Sequence, residues 1–297
     1  MRVRGVLALG AGLAAAGCGA AGCGAAAPAV RVKTDPPPAA SVAAARPAAA
    51  VTTSASVAAT TPTTPTTPTT PTKPAAKPLA GKTVAIDPGH NGDNYQHPEI
   101  INRLVPAGRG QVKGCDTTGT STNAGYSEAA FNFDVALRLE RLLVAQGARV
   151  VLTRHSNTGV GPCVNVRAAI GNHAHANAVI AIHADGEPAG DHGFSVLYAP
   201  DAGDTAPTYA ASLSLAHAVD QALRASGVFP PANYVGPGGY SVRSDLAGLN
   251  LSTRPKIFVE LGNMRNSGDA AVESSARGRQ RLAAALDGGL ERYLRTR

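Results

Sequence analysis

The first clear periodicity of apolar residues begins at Lys82. KTVAID places Val84, Ala85 and Ile86 in a short strand-like run that stops at Pro88 and Gly89. YSEAAFNFDVALRLERLLVAQG, residues 126 to 147, spaces Phe131, Val135, Leu139, Leu142 and Leu143 close to one helical face, with Gly147 as the stop. Downstream, ARVVLTR reads as a strand, NVRAAIGNHAHAN as a short helix, and AVIAIHADG and GFSVLYAP as further strands. APTYAASLSLAHAVDQALRASG then reads as a helix, RPKIFVELGN as a strand and residues 269 to 295 as a final helix. Strands alternating with helices predict an α/β fold, a mostly parallel twisted sheet flanked by helices on both faces, in a single domain over residues 81 to 297. Residues 91 to 126 interrupt the alternation with a polar, glycine-containing insert of no clear period. Inserts of that length are commonly functional, and this one is expected to act as a gate.

Composition changes the picture upstream. From about residue 25 to 80 the chain is almost all Ala, Pro, Thr, Ser and Val, with TPTTPTTPTTPT at residues 61 to 72. Prolines at every third position favour an extended polyproline-like chain, and nothing large and apolar is present to bury. Residues 25 to 80 are therefore expected to be a linker, able to span well over about 100 Å at ~3.1 Å per residue. Before it, MRVR supplies a positive start, VLALGAGLAAAG a short apolar stretch, and small residues surround Cys18 and Cys23. This is the pattern of a secretory signal over residues 1 to 24, too short for a comfortable membrane span. Cys18 and Cys23 are both candidate lipid acceptors, which would tether the product to the outer face of the membrane. Simple cleavage near residues 25 to 27 is the competing reading. Both imply export to the cell wall or periplasmic space.

Export bears on Cys115 and Cys163, the cysteines of the folded part. An oxidising compartment favours pairing them, and a bridge across that loop is worth roughly 3–4 kcal/mol on the chain-entropy account. Thiolate metal ligation is the rival, although neither cysteine sits in a CxxC. The net charge of +7 owes two arginines to the signal, while Arg277, Arg279, Arg281, Arg292, Arg295 and Arg297 crowd the last helix. An exported chain meets anionic wall polymers, so no nucleic-acid partner is expected, and an ordinary solvated helix face explains the same arginines. A monomer is expected.

In open sheets the chemistry collects at the carboxyl ends of the strands. Three strand ends here carry a candidate: His90 after VAID, His183 in AVIAIH and Glu260 in KIFVE. Glu128 stands in the first turn of the helix that follows the insert, where its charge suits the helix dipole. Two imidazoles and a carboxylate around Zn²⁺, with the fourth position left to water, make a catalytic zinc site, and a second carboxylate then serves as base. Spacing alone does not demand this. The four residues are scattered along the chain with no HExxH, and Glu128, His183 and Glu260 also read as a helix-end charge, a polar strand end and an ion-pair partner. His173 and His175 read as surface residues, because alternate positions do not share a helical face. Asp87 and Asp185 suit turn-making or a hydrogen bond to a ligand imidazole equally. Asn263 and Arg265 stand where substrate could pass.

DPGHNG, SEAAFNF, VVLTR, IAIHADG and FVELGNMRN, in that order, resemble the zinc-dependent N-acetylmuramoyl-L-alanine amidases of type 3, in particular their exported actinobacterial members. The resemblance covers nearly all of residues 82 to 295. It implies that His90, Glu128 and His183 bind zinc and that Glu260 acts in catalysis. The implied substrate is peptidoglycan or its muropeptide fragments, cut at the amide between N-acetylmuramic acid and L-alanine during wall remodelling or recycling. The family's first helix usually opens Glu-Lys, whereas this one reads Glu128-Ala129, and the insert before it is longer and carries a cysteine. Two other classes use the same donors: a zinc hydrolase of another wall bond, such as a stem-peptide peptidase or a deacetylase, and a non-catalytic peptidoglycan-binding module.

Overall fold

The computed structural model describes residues 77 to 297; the expected signal, both candidate lipid acceptors and most of the expected linker lie outside the described residues. In chain order the fold runs β1 (Thr83–Pro88), α1 (Pro98–Ile101), β2 (Leu104–Gly108), β3 (Gln111–Gly114), α2 (Glu128–Ala145), β4 (Arg149–Leu152), α3 (Val164–His173), β5 (Ala178–Asp185) and β6 (Phe194–Tyr198). It continues through α4 (Ala206–Ser226), β7 (Tyr240–Val242), α5 (Ala247–Asn250), β8 (Lys256–Asn263), α6 (Ser267–Ser274) and α7 (Ala276–Leu294). Six strands form one sheet in the order β4-β1-β5-β8-β6-β7, parallel throughout except where β6 runs antiparallel to β8. This is the expected mostly parallel α/β sheet with helices on both faces.

Period-two alternation along the strands divides the interior. Val84, Ile86, Ile180, Ile182, Ile257 and Val259 point into one large apolar cluster under α2, α4 and α7. The buried stripe of α2, Phe131, Val135, Leu139 and Leu143, faces that cluster at a helical repeat. Ser127 starts the helix by accepting from Ala130 N at 3.3 Å, a cap of about 1 kcal/mol. Ala85, Val179, Ala181, Leu197 and Phe258 point the other way, into small clusters beside α3 and α5. The final helix is two helices, because Ser275 is extended at φ −89°, ψ 136° and its side chain caps Gly278 N.

The insert is ordered. It forms α1 and the antiparallel β2–β3 hairpin, and it is fastened to the body. Arg109 donates to Asn250 Oδ1 (3.2 Å) and to Thr205 Oγ1 (2.7 Å), and Lys113 Nζ donates to Asp245 O (2.8 Å). Cys115 and Cys163 are bridged and buried, which joins the end of the hairpin to the N-terminus of α3 across 48 residues. Hydrophobic periodicity missed this hairpin because it is short and Leu104 and Val112 point to solvent. Of the six arginines that crowd α7 and the residues just after it, Arg279 is half-buried and the other five are exposed. Arg279 is paired with Asp134, Arg281 donates to Ser226 O, Arg292 to Gln221, and Arg295 to Glu291.

Candidate active site

β1 and β5 are neighbours, so their carboxyl ends bring His90 and His183 together, with ring centroids 4.9 Å apart and planes at 88°. Glu128 reaches them from the first turn of α2. Its Oε1 lies 3.2 Å from His90 Nε2 and 3.0 Å from His183 Nδ1. One donor atom from each of the three residues falls within 4.8 Å of the others, a group that could hold a metal ion, and two imidazoles with a carboxylate suit zinc. Glu128 is steadied by Thr120 N, which donates to Oε2 at 2.9 Å, and by Asn132 Nδ2, which donates to Oε1 at 3.3 Å. Burial opposes charge on this carboxylate, yet His90 and His183 hold it well below the usual range. Burial likewise opposes charge on His90, but Glu128 and Asp116 push its imidazole up to about 10.

The two histidines are placed by different means. His183 belongs to a regular strand, and its ring stacks on Phe258 at 5.3 Å and 16°. Glycine is required at position 89, since a Cβ there would lie 2.1 Å from His183 Cε1. His90 lies past the end of β1 at φ +59°, a left-handed conformation that costs about 1–3 kcal/mol for a non-glycine residue. Arg167 Nη2 donates to its carbonyl at 2.9 Å and steadies that turn. Arg154 clamps the same turn to α2, donating to Pro88 O (2.9 Å), Gly89 O (3.2 Å) and Ala129 O (2.7 Å).

Glu260 is positioned by register. β8 runs beside β5 and pairs Glu260 with His183, and β6 pairs Ser195 with Glu260, so the three side chains form a row on one face of the sheet. Desolvation first, then the carboxylates of Asp185 and Glu128, push the Glu260 carboxyl well above its ordinary range. Asp185 is raised by burial too, and it accepts from Tyr234 Oη at 2.6 Å. A polar groove of about 310 Å³ leads away from Glu260, lined among others by Asp185, Ser195, Tyr234 and Arg243. The Ser195 hydroxyl is buried on its floor without a partner.

All four candidates from the strand ends and the helix start therefore converge. Asp87 does not meet an imidazole; it accepts from Thr153 Oγ1 (2.7 Å), Lys256 Nζ (3.0 Å) and Arg167 Nη1 (3.2 Å). His173 and His175 are exposed. Asn263 brackets the loop after β5 by donating to Glu187 O, Pro188 O and Asp191 O, and Arg265 donates to Ser121 O. Sequence reasoning missed Asp116, Arg167, Arg154 and Tyr234. Arg154 closes the VVLTR motif, whereas neither Asp116 nor Tyr234 carries a local signal.

An α/β sheet with a group that could hold a metal at its strand ends and a separate carboxyl of raised pKa one strand away carries the side chains that hydrolytic enzymes use. The particular family follows from comparison. The sequence profile of the Amidase_3 family, N-acetylmuramoyl-L-alanine amidase, matches residues 84–292, and the chain belongs to that family. It is a hydrolase with N-acetylmuramoyl-L-alanine amidase activity. The N-acetylmuramoyl-L-alanine amidase Rv3717 of Mycobacterium tuberculosis is 46% identical over 223 residues, spanning 73% of this chain and 88% of that protein. The crystal structure of the N-acetylmuramyl-L-alanine amidase Ami1 from Mycobacterium smegmatis is 43% identical with a TM-score of 0.70, covering 74% of this chain and 99% of that one. An N-acetylmuramoyl-L-alanine amidase structure from Clostridium difficile 630 shares the fold at 22% identity and a TM-score of 0.55, over 72% of this chain and 96% of that one.

Proposed function

We propose that this chain is an exported, zinc-dependent cell-wall amidase, with His90, Glu128 and His183 as the metal ligands and Glu260 as the catalytic acid and base. The observation that carries the reading is the convergence of His90 Nε2, His183 Nδ1 and Glu128 Oε1 beside a second carboxyl, that of Glu260, which takes no part in that cluster. A zinc ion held there would supply a polarised carbonyl and a bound water of pKa near about 7. Glu260 takes the proton of the attacking water and returns it to the leaving nitrogen. Burial and the neighbouring carboxylates raise its pKa, which favours holding the proton it takes from the water. The water oxygen bonds to the lactyl carbonyl carbon of muramic acid, the C–N bond breaks, and the L-alanine amine of the stem peptide leaves. The groove past Ser195 toward Arg243 offers that peptide a polar path from Glu260.

Residues 81 to 297 form the catalytic domain in this reading, the Ala/Pro/Thr-rich stretch 25 to 80 is its linker, and residues 1 to 24 direct export. Lipidation at Cys18 or Cys23 would anchor the enzyme to the outer face of the membrane. Peptidoglycan or muropeptides are the partners, met by a monomer. No helix of the described residues is long and apolar enough to cross a membrane.

The test is mass spectrometry of products from a muramoyl-pentapeptide, with chelator and with zinc restored. A free peptide beginning with L-alanine, lost on chelation and regained with zinc, supports the reading. Cleavage inside the stem or loss of an acetyl group would make it a different wall hydrolase, and binding without cleavage a recognition module. His90→Ala and His183→Ala should lose the metal, whereas Glu260→Ala should keep it.

A further inference from the structure

His183 is held by its strand and by Phe258, but His90 stands beyond the last ladder bond of β1, in a left-handed turn. The direction of its ring must therefore come from its other nitrogen. His90 Nδ1 faces Asp116 Oδ1 at 3.2 Å and Thr117 O at 3.1 Å, while Nε2 faces Glu128. An imidazole that donates from Nδ1 presents the lone pair of Nε2, the tautomer a metal needs.

Asp116 is itself fixed from two sides. Its Oδ1 accepts from Thr117 N at 2.8 Å, and its Oδ2 pairs with Arg167 Nη2 at 3.3 Å. Arg167 continues to Asp87, and Asp87 to Lys256, so the carboxylate is the near end of a buried chain of alternating charge that starts under the sheet. Covalent chemistry sits beneath the same contact. Asp116 follows Cys115 directly, and Arg167 lies in the first turn of α3, whose N-cap is Cys163. The bridge joins these two backbones, and Val164 N donates to Cys115 O at 2.8 Å alongside it. Among the described residues, Asp116 is the member of this chain supplied by the insert, so without the bridge it has only the hairpin and its own hydrogen bonds to hold it against His90.

We propose that Asp116 is a positioning residue for His90 and that the Cys115–Cys163 bridge holds it in place, so that zinc affinity depends on both. The inference rests on the reading of His90, Glu128 and His183 as zinc ligands. It assigns the disulfide a duty at the site in addition to its effect on stability.

The experiment measures zinc dissociation constants of the full chain by competition with a chromophoric chelator, with circular dichroism confirming the fold of each variant. Asp116→Ala should weaken zinc binding about 10–100-fold, the usual loss when the partner of a ligand histidine is removed. Asp116→Asn keeps an acceptor oxygen toward Nδ1 and should recover most of that affinity. Cys115→Ala with Cys163→Ala should weaken binding in the same range, and adding Asp116→Ala should cost little more, since both act through one contact. A merely structural Asp116 would lower the thermal midpoint in Asp116→Ala and leave the zinc constant within twofold of wild type, which overturns the proposal. Equal weakening in Asp116→Asn and Asp116→Ala also overturns it. Independent, fully additive losses overturn the part assigned to the bridge. If the bridge-free chain does not fold, the two Asp116 variants, which leave the bridge intact, decide the matter. His90→Ala separates the two readings: zinc bound as tightly as in wild type by that variant removes the ligand assignment itself.

Discussion

The two faces of the central sheet are built from different chemistry. Under α2, α4 and α7 the interior is one apolar cluster that runs from Leu79 to Leu294. On the α3 and α5 side the apolar clusters are small, and the space beneath the site holds Asp87, Lys256, Arg167 and Asp116, each 2–6% exposed. Apolar burial stabilises without regard to direction, at roughly 25 cal/mol per Å². Buried ions do the reverse: they add little net stability because desolvation offsets attraction, but their hydrogen bonds fix direction. One face therefore holds the fold together, and the other aims the groups at its carboxyl edge.

That division can be broken or sharpened by substitution. The largest effect is expected at Glu260→Gln, which should lower turnover by about 10²–10⁴ while leaving the thermal midpoint nearly unchanged. A midpoint that falls with the rate would place Glu260 in the fold rather than in the chemistry. On the opposite face, Phe131→Ala should cost about 3–5 kcal/mol in urea unfolding, with turnover per folded molecule retained. Lys256→Met removes one of the cations that hold the Asp87 carboxyl low against the cost of burial and should cost about 3 kcal/mol. Here the zinc affinity should move as well, because the charge chain ends at His90.

A smaller effect tests the apolar side with pH. Glu273 is fully buried with both carboxyl oxygens unpartnered, and burial, with Asp269 and Glu128 nearby, pushes it up to about 9. The folded chain then keeps a proton that the unfolded chain releases above its ordinary value of 4.5. Stability should therefore fall as pH rises from that value to about 9 and level off beyond it. Thermal midpoints measured at pH 5 and pH 9 should drop more steeply in wild type than in Glu273→Gln. The smallest change is Ser127→Ala, about 1 kcal/mol for the lost cap, with a modest fall in zinc affinity because Glu128 begins the same turn.

Much of this was legible in the chain. The α2 stripe, the strands ending at His90, His183 and Glu260, and the cysteine pair could be read because each is a local pattern or a simple count. The β2–β3 hairpin was not legible, since its outward Leu104 and Val112 break the alternation that marks a strand. The break at Ser275 was hidden too, because a serine inside a helical pattern signals a cap only when the chain around it turns.

The sequence by itself determined the alternation of elements, the apolar face of each helix and which residues stand at strand ends, because side-chain period and backbone preference act over a few residues. Only the tertiary structure decided that Asp87 meets Lys256 across 169 positions, that Asp116 rather than Asp87 faces His90, and that Glu260 lies in register with His183. Those pairings depend on strand order and register. They are settled when the faces close on a common core, and no spacing along the chain encodes them.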